Sequence, residues 1–225
     1  MNYDFLSKTV LFRGSSPEEI SSMLSCLGAV EKTAAKGEVI YRAGTPAETM
    51  GMVLSGCVQI ETDDVWGNKS ILDSVEPGEV FAETYACIPG ETLQVSAVAV
   101  EKSELLLLNS KKLMQTCPQA CAHHVTLIKN LLSVSAQKNL NLSRRIFHTS
   151  SKTIRGRLLS YLSFQAVRSG GCDFDIPFNR QQLADYLSVD RSAMSAELSK
   201  MQRDGLLEYD KNHFHLNASP DDLSF

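Results

Sequence analysis

Residues 179–203 read NRQQLADYLSVDRSAMSAELSKMQR, two short amphipathic helices joined by a tight turn. Asn179, followed three residues later by Gln182, has the spacing of a capping box, in which each side chain satisfies an orphan backbone donor. Leu183, Ala184 and Leu187 give the first helix one apolar face. Ser188 and Val189 form the turn; Ser188 stands where many such turns carry glycine, so a positive φ there implies modest strain. Asp190 is placed to cap the second helix, and its carboxylate suits the positive end of the helix dipole. In that helix Met194, Leu198 and Met201 recur at i, i+4 and i+7, the buried stripe of an amphipathic segment. The opposite face carries Arg191, Ser192, Ser195, Ala196 and Ser199. These are small apart from one arginine at the N-terminal end, so the helix can enter a DNA major groove.

Downstream, LLEY at 206–209, DKN at 210–212 and HFHL at 213–216 read as strand, turn and strand with alternating polarity, a β-hairpin or wing. Two helices and a wing make a winged-helix module. A helical hairpin whose small residues pack against another helix is the alternative, and the wing argues against it. Upstream, Ser150 or Ser151 caps a helix from Lys152 to about Val167 with Ile154, Leu158, Leu159 and Leu162 on one face. Ser169-Gly170-Gly171 ends it, and 174–177 is a short strand. The region resembles the DNA-binding domain of the Crp/Fnr family of bacterial transcription regulators. Asn179-Arg180-Gln181 is similar to the family's Thr-Arg-Gln entry to the first helix, and Val189-Asp190-Arg191 to its Cys-Ser-Arg entry to the recognition helix. Ser192-Ala193-Met194-Ser195-Ala196 departs from the family's Glu-x-x-Ser-Arg, lacking both the glutamate and the second arginine, so base specificity does not carry over.

At 225 residues and 43% hydrophobic content the chain suits one large or two small domains. No window approaches a membrane-spanning apolar run, and MNYDFLSKTV lacks the order of a signal peptide, so a cytoplasmic protein that does not enter membranes is expected. Six scattered cysteines point to reduced thiols. Residues 151–225 hold nine Lys/Arg and ten Asp/Glu, a balance less basic than in many DNA-binding domains. One local exception is the run from 144 to 157, where Arg144, Arg145, Lys152, Arg155 and Arg157 occur with no acidic residue. Part of it can face phosphates, although a solvated helix face is commoner.

Toward the N-terminus, Ser16-Pro17-Glu18-Glu19 starts a helix running to about Leu27, with Ile20, Met23, Leu24 and Leu27 on its packed side. From 28 to about 109 the texture becomes short strands punctuated by glycines, at 39–41, 50–54, 58–60, 71–75, 93–100 and 105–108, a small antiparallel β domain. KGEVIYRAG at 36–44, LSGCV at 54–58 and PGEVF at 77–81 resemble successive turns of the cyclic-nucleotide-binding β-roll. The resemblance implies an effector pocket near Glu83, Thr84, Gln94 and Ser96. In cAMP-binding relatives a glutamate meets the ribose and an Arg-Ser pair clamps the cyclic phosphate. Glu83 keeps the first position, as ligand contact or as structural carboxylate. The second becomes Gln94-Val95-Ser96-Ala97, with no arginine from 83 to 101, and a partly buried cyclic phosphate needs a charge-assisted donor. An unidentified small-molecule effector, and no cofactor, is expected.

Lys111 to Thr116 makes a short turn or helix, and Pro118 opens a long helix to about Thr149. Val125, Ile128, Leu132, Ser135, Asn139, Leu142 and Ile146 alternate spacings of three and four, a heptad seam. A second stripe, Leu127, Leu131 and Val134, can cover the β-roll. Two apolar edges predict a homodimer, with a single core helix as the alternative. His148 to Ser151 is the expected hinge. Cys117, Cys121 and His124 share one helical face, which makes a metal site geometrically possible, but buried cysteine acting as a small hydrophobe is commoner, and no metal is assigned. The N-terminal cysteine cluster of oxygen-sensing relatives is absent. No nucleophile motif, phosphate loop or paired-carboxylate spacing supports enzymatic activity.

The expected architecture is α+β: a jelly-roll-like β-roll sensor domain over 1–116, a long dimerisation helix over 117–149, and a winged helix-turn-helix over 150–225. Its expected function is effector-controlled transcription regulation by a homodimer on a pseudo-palindromic site in double-stranded DNA, with RNA polymerase as the partner that the resemblance implies. Arg191, Ser192, Ser195 and Ser199 face bases or phosphates, and Arg180 and Gln181 suit phosphates. Three alternatives stand beside it: a sensor whose winged helix meets protein, a true cyclic-nucleotide-binding regulator, and a constitutive protein with an unliganded β-roll.

Overall fold

The computed structural model describes residues 1–63, 66, 69–114 and 122–217. It divides into two compact units, Met1–Ala136 and Gln137–Phe225. The first holds α1 (Tyr3–Lys8), α2 (Pro17–Leu27), β1 (Val30–Ala34), β2 (Val39–Tyr41), β3 (Thr49–Ser55), β4 (Val58–Asp63), β5 (Lys69–Val75), β6 (Val80–Phe81), α3 (Glu83–Cys87), β7 (Ser96–Ala99), β8 (Ser103–Asn109) and α4 (Ser110–Met114). The boundary falls inside α5 (Ala122–Thr149). The second unit continues with α6 (Ile154–Ser169), β9 (Asp173–Asp175), α7 (Arg180–Leu187), α8 (Arg191–Arg203), β10 (Leu207–Asp210) and β11 (His213–Leu216).

In the first unit two antiparallel four-stranded sheets, ordered β1-β8-β3-β6 and β2-β7-β4-β5, form the β-roll. Their facing sides enclose one core of Val53, Phe81 and Leu105 against Val58, Ala97 and Ala99. Gly51 leaves room for the Phe81 ring, which a Cβ there would strike. Gly56, at φ 82°, turns β3 into β4 against the Lys102 carbonyl and Ser103, a conformation and clearance that only glycine supplies without strain. The far side of β3 and β8 is covered by α1, α2 and the stripe Leu127, Leu131 and Val134 of α5. The Ser16–Glu19 capping box that opens α2 is complete. β1 and α3 escape a reading of hydrophobic period because VEKTA alternates too weakly and ETYAC is only five residues long. Ala82, before α3, has φ 59°.

In the second unit α6, α7 and α8 pack around Leu158, Leu162, Leu183, Leu187, Met194 and Leu198. The antiparallel sheet β10-β11-β9 closes that core with Phe174 and Phe214. Thr153, not Ser150 or Ser151, caps α6, its side chain accepting from the Gly156 N–H. The Ser151 carbonyl instead accepts from Arg157 Nε at 2.9 Å. The C-terminal end of α5 belongs to this unit, where His148 is 1% exposed between Phe164 and Tyr161. Of the expected hinge at His148 to Ser151, His148 is thus held by packing, whereas Thr149 and Ser151 are half-buried and Ser150 is exposed. No helix among the described residues is long and apolar enough to cross a membrane.

Candidate nucleic-acid interface

Local sequence builds the helix pair. Asn179 Oδ1 accepts from the Gln182 N–H at 2.9 Å, and Gln182 Oε1 accepts from the Asn179 N–H at 2.9 Å. Asp190 Oδ1 accepts from the Ala193 N–H at 2.8 Å and caps α8. Between them Ser188 adopts φ 54°, ψ 53°, the left-handed cap that terminates α7. Met194, Leu198 and Met201 are fully buried, so α8 is held by one stripe and presents the other.

Arg191, Ser192, Ala193, Ala196 and Lys200 are exposed on α8, and Ser195 and Ser199 are half-buried. The last two hydroxyls are engaged: Ser195 Oγ donates to the Arg191 carbonyl at 2.9 Å and Ser199 Oγ to the Ser195 carbonyl at 3.1 Å, with Tyr209 Oη 3.3 Å away. Back-bonding to the preceding turn is a frequent use of helical serine. Gln181 is exposed and its Nε2 donates to Asp185 Oδ1 at 2.8 Å. Arg180 folds over the wing, its Cζ 4.7 Å from the Tyr209 ring centroid and 5.2 Å from that of Phe214. Both terminal guanidinium nitrogens are inaccessible and without a hydrogen-bond partner. Burial pushes the Arg180 pKa down from its ordinary range, and Tyr209 opposes that shift.

A cavity of about 710 Å³ lies between the start of α7 and the wing turn, lined by Arg180, Gln181, Arg191 and Lys211 among others. Lys211, at φ 52° in the turn, escaped the sequence reading; its only signal was a cation at the tip of a hairpin beside a recognition helix. The outward face of the wing has the opposite charge. His213 is paired with Asp175 and Asp210 across the strands, and His215 with Asp173 and Glu208. Asp173 lies 3.1 Å from His213 Nε2 and 3.2 Å from His215 Nδ1.

In the β-roll Glu83 is buried at the start of α3, Thr84 and Gln94 are exposed, and Ser96 Oγ accepts from the Ala43 N–H at 3.1 Å. On α5, Val125, Ile128, Leu132, Leu142 and Ile146 are exposed, as are Ser135 and Asn139. Cys117 and Cys121 lie outside the described residues. His124 is buried with both ring nitrogens unpartnered, and among the described residues no group of three or more His, Cys, Asp or Glu could hold a metal ion.

A β-roll followed by a long helix and a winged helix defines a one-chain regulator that joins a sensor-type domain to a DNA-binding one. The cyclic nucleotide-binding domain family matches residues 31–119, and the Crp-like helix-turn-helix domain family matches residues 156–218. The chain is 27% identical over 199 residues to the Cyclic AMP receptor protein of Thermus thermophilus, covering 88% of this chain and 87% of that protein. The crystal structure of the Thermus thermophilus Catabolite Activator Protein superposes with a TM-score of 0.51 at 22% identity, over 93% of this chain and 94% of that one. OCPA-complexed CprK gives a TM-score of 0.63 at 14% identity, over 88% and 91%. The chain belongs to the Crp/Fnr family of transcription regulators.

Proposed function

We propose that the protein is a cytoplasmic homodimer that reads a pseudo-palindromic operator in double-stranded DNA and signals to RNA polymerase under control of a small-molecule effector in the β-roll. Residues 1–116 sense, 117–149 dimerise and 150–225 read DNA. The effector shifts the population of α5 conformations and with it the two α8 helices. The observation that carries the DNA role is the cavity beside the exposed start of α8 that Arg191 and Lys211 line, with Arg180 seated at its wall. Arg191 contacts a guanine edge or a phosphate, with Ser192 foremost and Ser195 and Ser199 behind it. Gln181 and Lys211 hold phosphate. Arg180 reaches phosphate by leaving its aromatic seat. Glu83, Thr84, Gln94 and Ser96 border the effector.

Selection from random DNA tests this reading, since a two-fold dimer enriches half-sites about 10 base pairs apart. Arg191→Ala then weakens specific binding by about 1–3 kcal/mol and relaxes one position per half-site. If no palindrome is enriched with candidate effectors supplied, the DNA role fails. The second reading, a winged helix that meets protein, draws on the four carboxylates of the outer wing face.

A further inference from the structure

Three arginines of the basic run from 144 to 157 turn inward. Arg145, on α5, donates from Nε to the Tyr186 carbonyl at 3.1 Å and from Nη2 to the Asp185 carbonyl at 3.0 Å. Arg157, on α6, donates from Nη1 to the Leu187 and Ser188 carbonyls, each at 2.9 Å. Arg155 binds Glu197 and, at 2.7 Å, Asp204, at the middle and end of α8. The last carbonyls of any helix lack partners within it. Here Ala184 and Asp185 accept from the Val189 and Ser188 N–H groups, and the arginines serve the rest. Every carbonyl from Ala184 to Ser188 is thereby engaged, at the negative end of the α7 dipole, where cations are favoured.

We propose that Arg145 and Arg157 are positioning residues for DNA reading: a two-arginine clamp that fixes the turn between α7 and α8, and so the pitch of the recognition helix. A guanidinium suits this task because its donors are planar and fixed relative to one another, so two carbonyls are held at a set separation. The clamp makes the last turns of α5 one body with the helix pair. Arg145 adjoins Ile146, an exposed apolar residue of that helix, so a displacement of α5 reaches α7 through side chain-to-carbonyl bonds. The DNA part of the inference rests on the proposed operator binding; the clamp itself does not.

Two measurements on the full chain separate the possibilities, with Arg145→Met, Arg157→Met, the corresponding Lys variants and Lys152→Met as control. In free protein, amide hydrogen exchange at Ser188 and Val189 accelerates about tenfold or more in each Met variant, less in each Lys variant, and not in the control. On operator DNA, specific affinity falls about tenfold per arginine, while the salt dependence of binding keeps its wild-type slope. Unchanged exchange at both amides overturns the clamp. A slope that drops by about 0.9 per arginine removed makes these residues phosphate contacts and overturns the positioning role. If wild-type protein binds no DNA, exchange alone decides the clamp, and the loss belongs to the DNA reading.

Discussion

The Arg180 guanidinium stacks 4.7 Å from the centre of the Tyr209 ring, tying the first residue of α7 to the first strand of the wing. Phe214 flanks the same cation at 5.2 Å. A cation over aromatic faces contributes about 0.5–2 kcal/mol, the more so when desolvated. The contact orients the wing against the start of α7, and Arg180→Ala is expected to loosen the wing before it alters any DNA contact. Thermal melting of the variant, together with the NMR shifts of the Tyr209 and Phe214 ring protons, checks this: unchanged ring shifts sink the idea.

Self-association is expected through α5. Ile128 and Leu132 are 39% and 69% exposed in the single chain, on a helix whose other stripe is already buried. Replacing both with Asp leaves unpaired charges in an apolar seam and should give monomers that no longer hold a two-fold DNA site. Sedimentation of the double variant at micromolar concentration is the measurement, and a persistent dimer would place the seam elsewhere.

Cyclic nucleotides are expected to bind weakly or not at all. No arginine or lysine occurs from 83 to 101, and the Ser96 hydroxyl is already an acceptor for the Ala43 N–H. Calorimetric titration of ligand-free protein with cAMP and cGMP should show no binding tighter than about 100 μM. Micromolar affinity for either would restore the cyclic-nucleotide alternative.

Acid is expected to destabilise the C-terminal unit through His148. Burial, and then the nearby Arg144 charge, hold its pKa below the ordinary 6.5. The unfolded chain therefore takes up the proton more readily than the folded one. Stability is complete above the unfolded pKa and is lost as pH falls through the lowered folded value. Thermal unfolding between about pH 7 and pH 5 should show a steeper decline for wild type than for His148→Gln; parallel curves would assign the acid sensitivity to other groups.

Ser188→Gly is expected to stabilise. The left-handed backbone at φ 54° costs an L-residue about 1–2 kcal/mol, whereas glycine adds about 0.4–1 kcal/mol of unfolded-state entropy. A net gain of about 0.5–1 kcal/mol follows, read as a higher denaturant midpoint at constant slope. A lower midpoint would mean that the clamp requires a serine.

Legibility followed the range of each interaction. The Asn179–Gln182 and Ser16–Glu19 boxes and the Asp190 cap act within three residues and were evident from spacing. The Met194, Leu198 and Met201 stripe and the covering stripe Leu127, Leu131 and Val134 were evident from period. Arg145 and Arg157 were not, because their acceptors lie 40 and 30 residues away and a guanidinium in a basic run has the same appearance whether it meets phosphate or carbonyl. Arg180 begins α7, as the capping spacing implies, but its direction depends on Tyr209 and Phe214, whose arrangement the hairpin decides. The engaged hydroxyls of Ser195 and Ser199 show the same limit: position follows from helical period, hydrogen-bond partner does not.

The carboxylates of the wing's outward face, set apart from the cations of the cavity, have a kinetic consequence. Residues 151–225 carry nearly balanced charge, so a distant polyanion exerts little net pull. Once within about 8 Å, the screening distance at physiological ionic strength, it acts on a dipole: Asp173, Asp175, Glu208 and Asp210 are repelled while Arg191 and Lys211 are drawn in. Encounters begin without long-range capture and are then rotated into register.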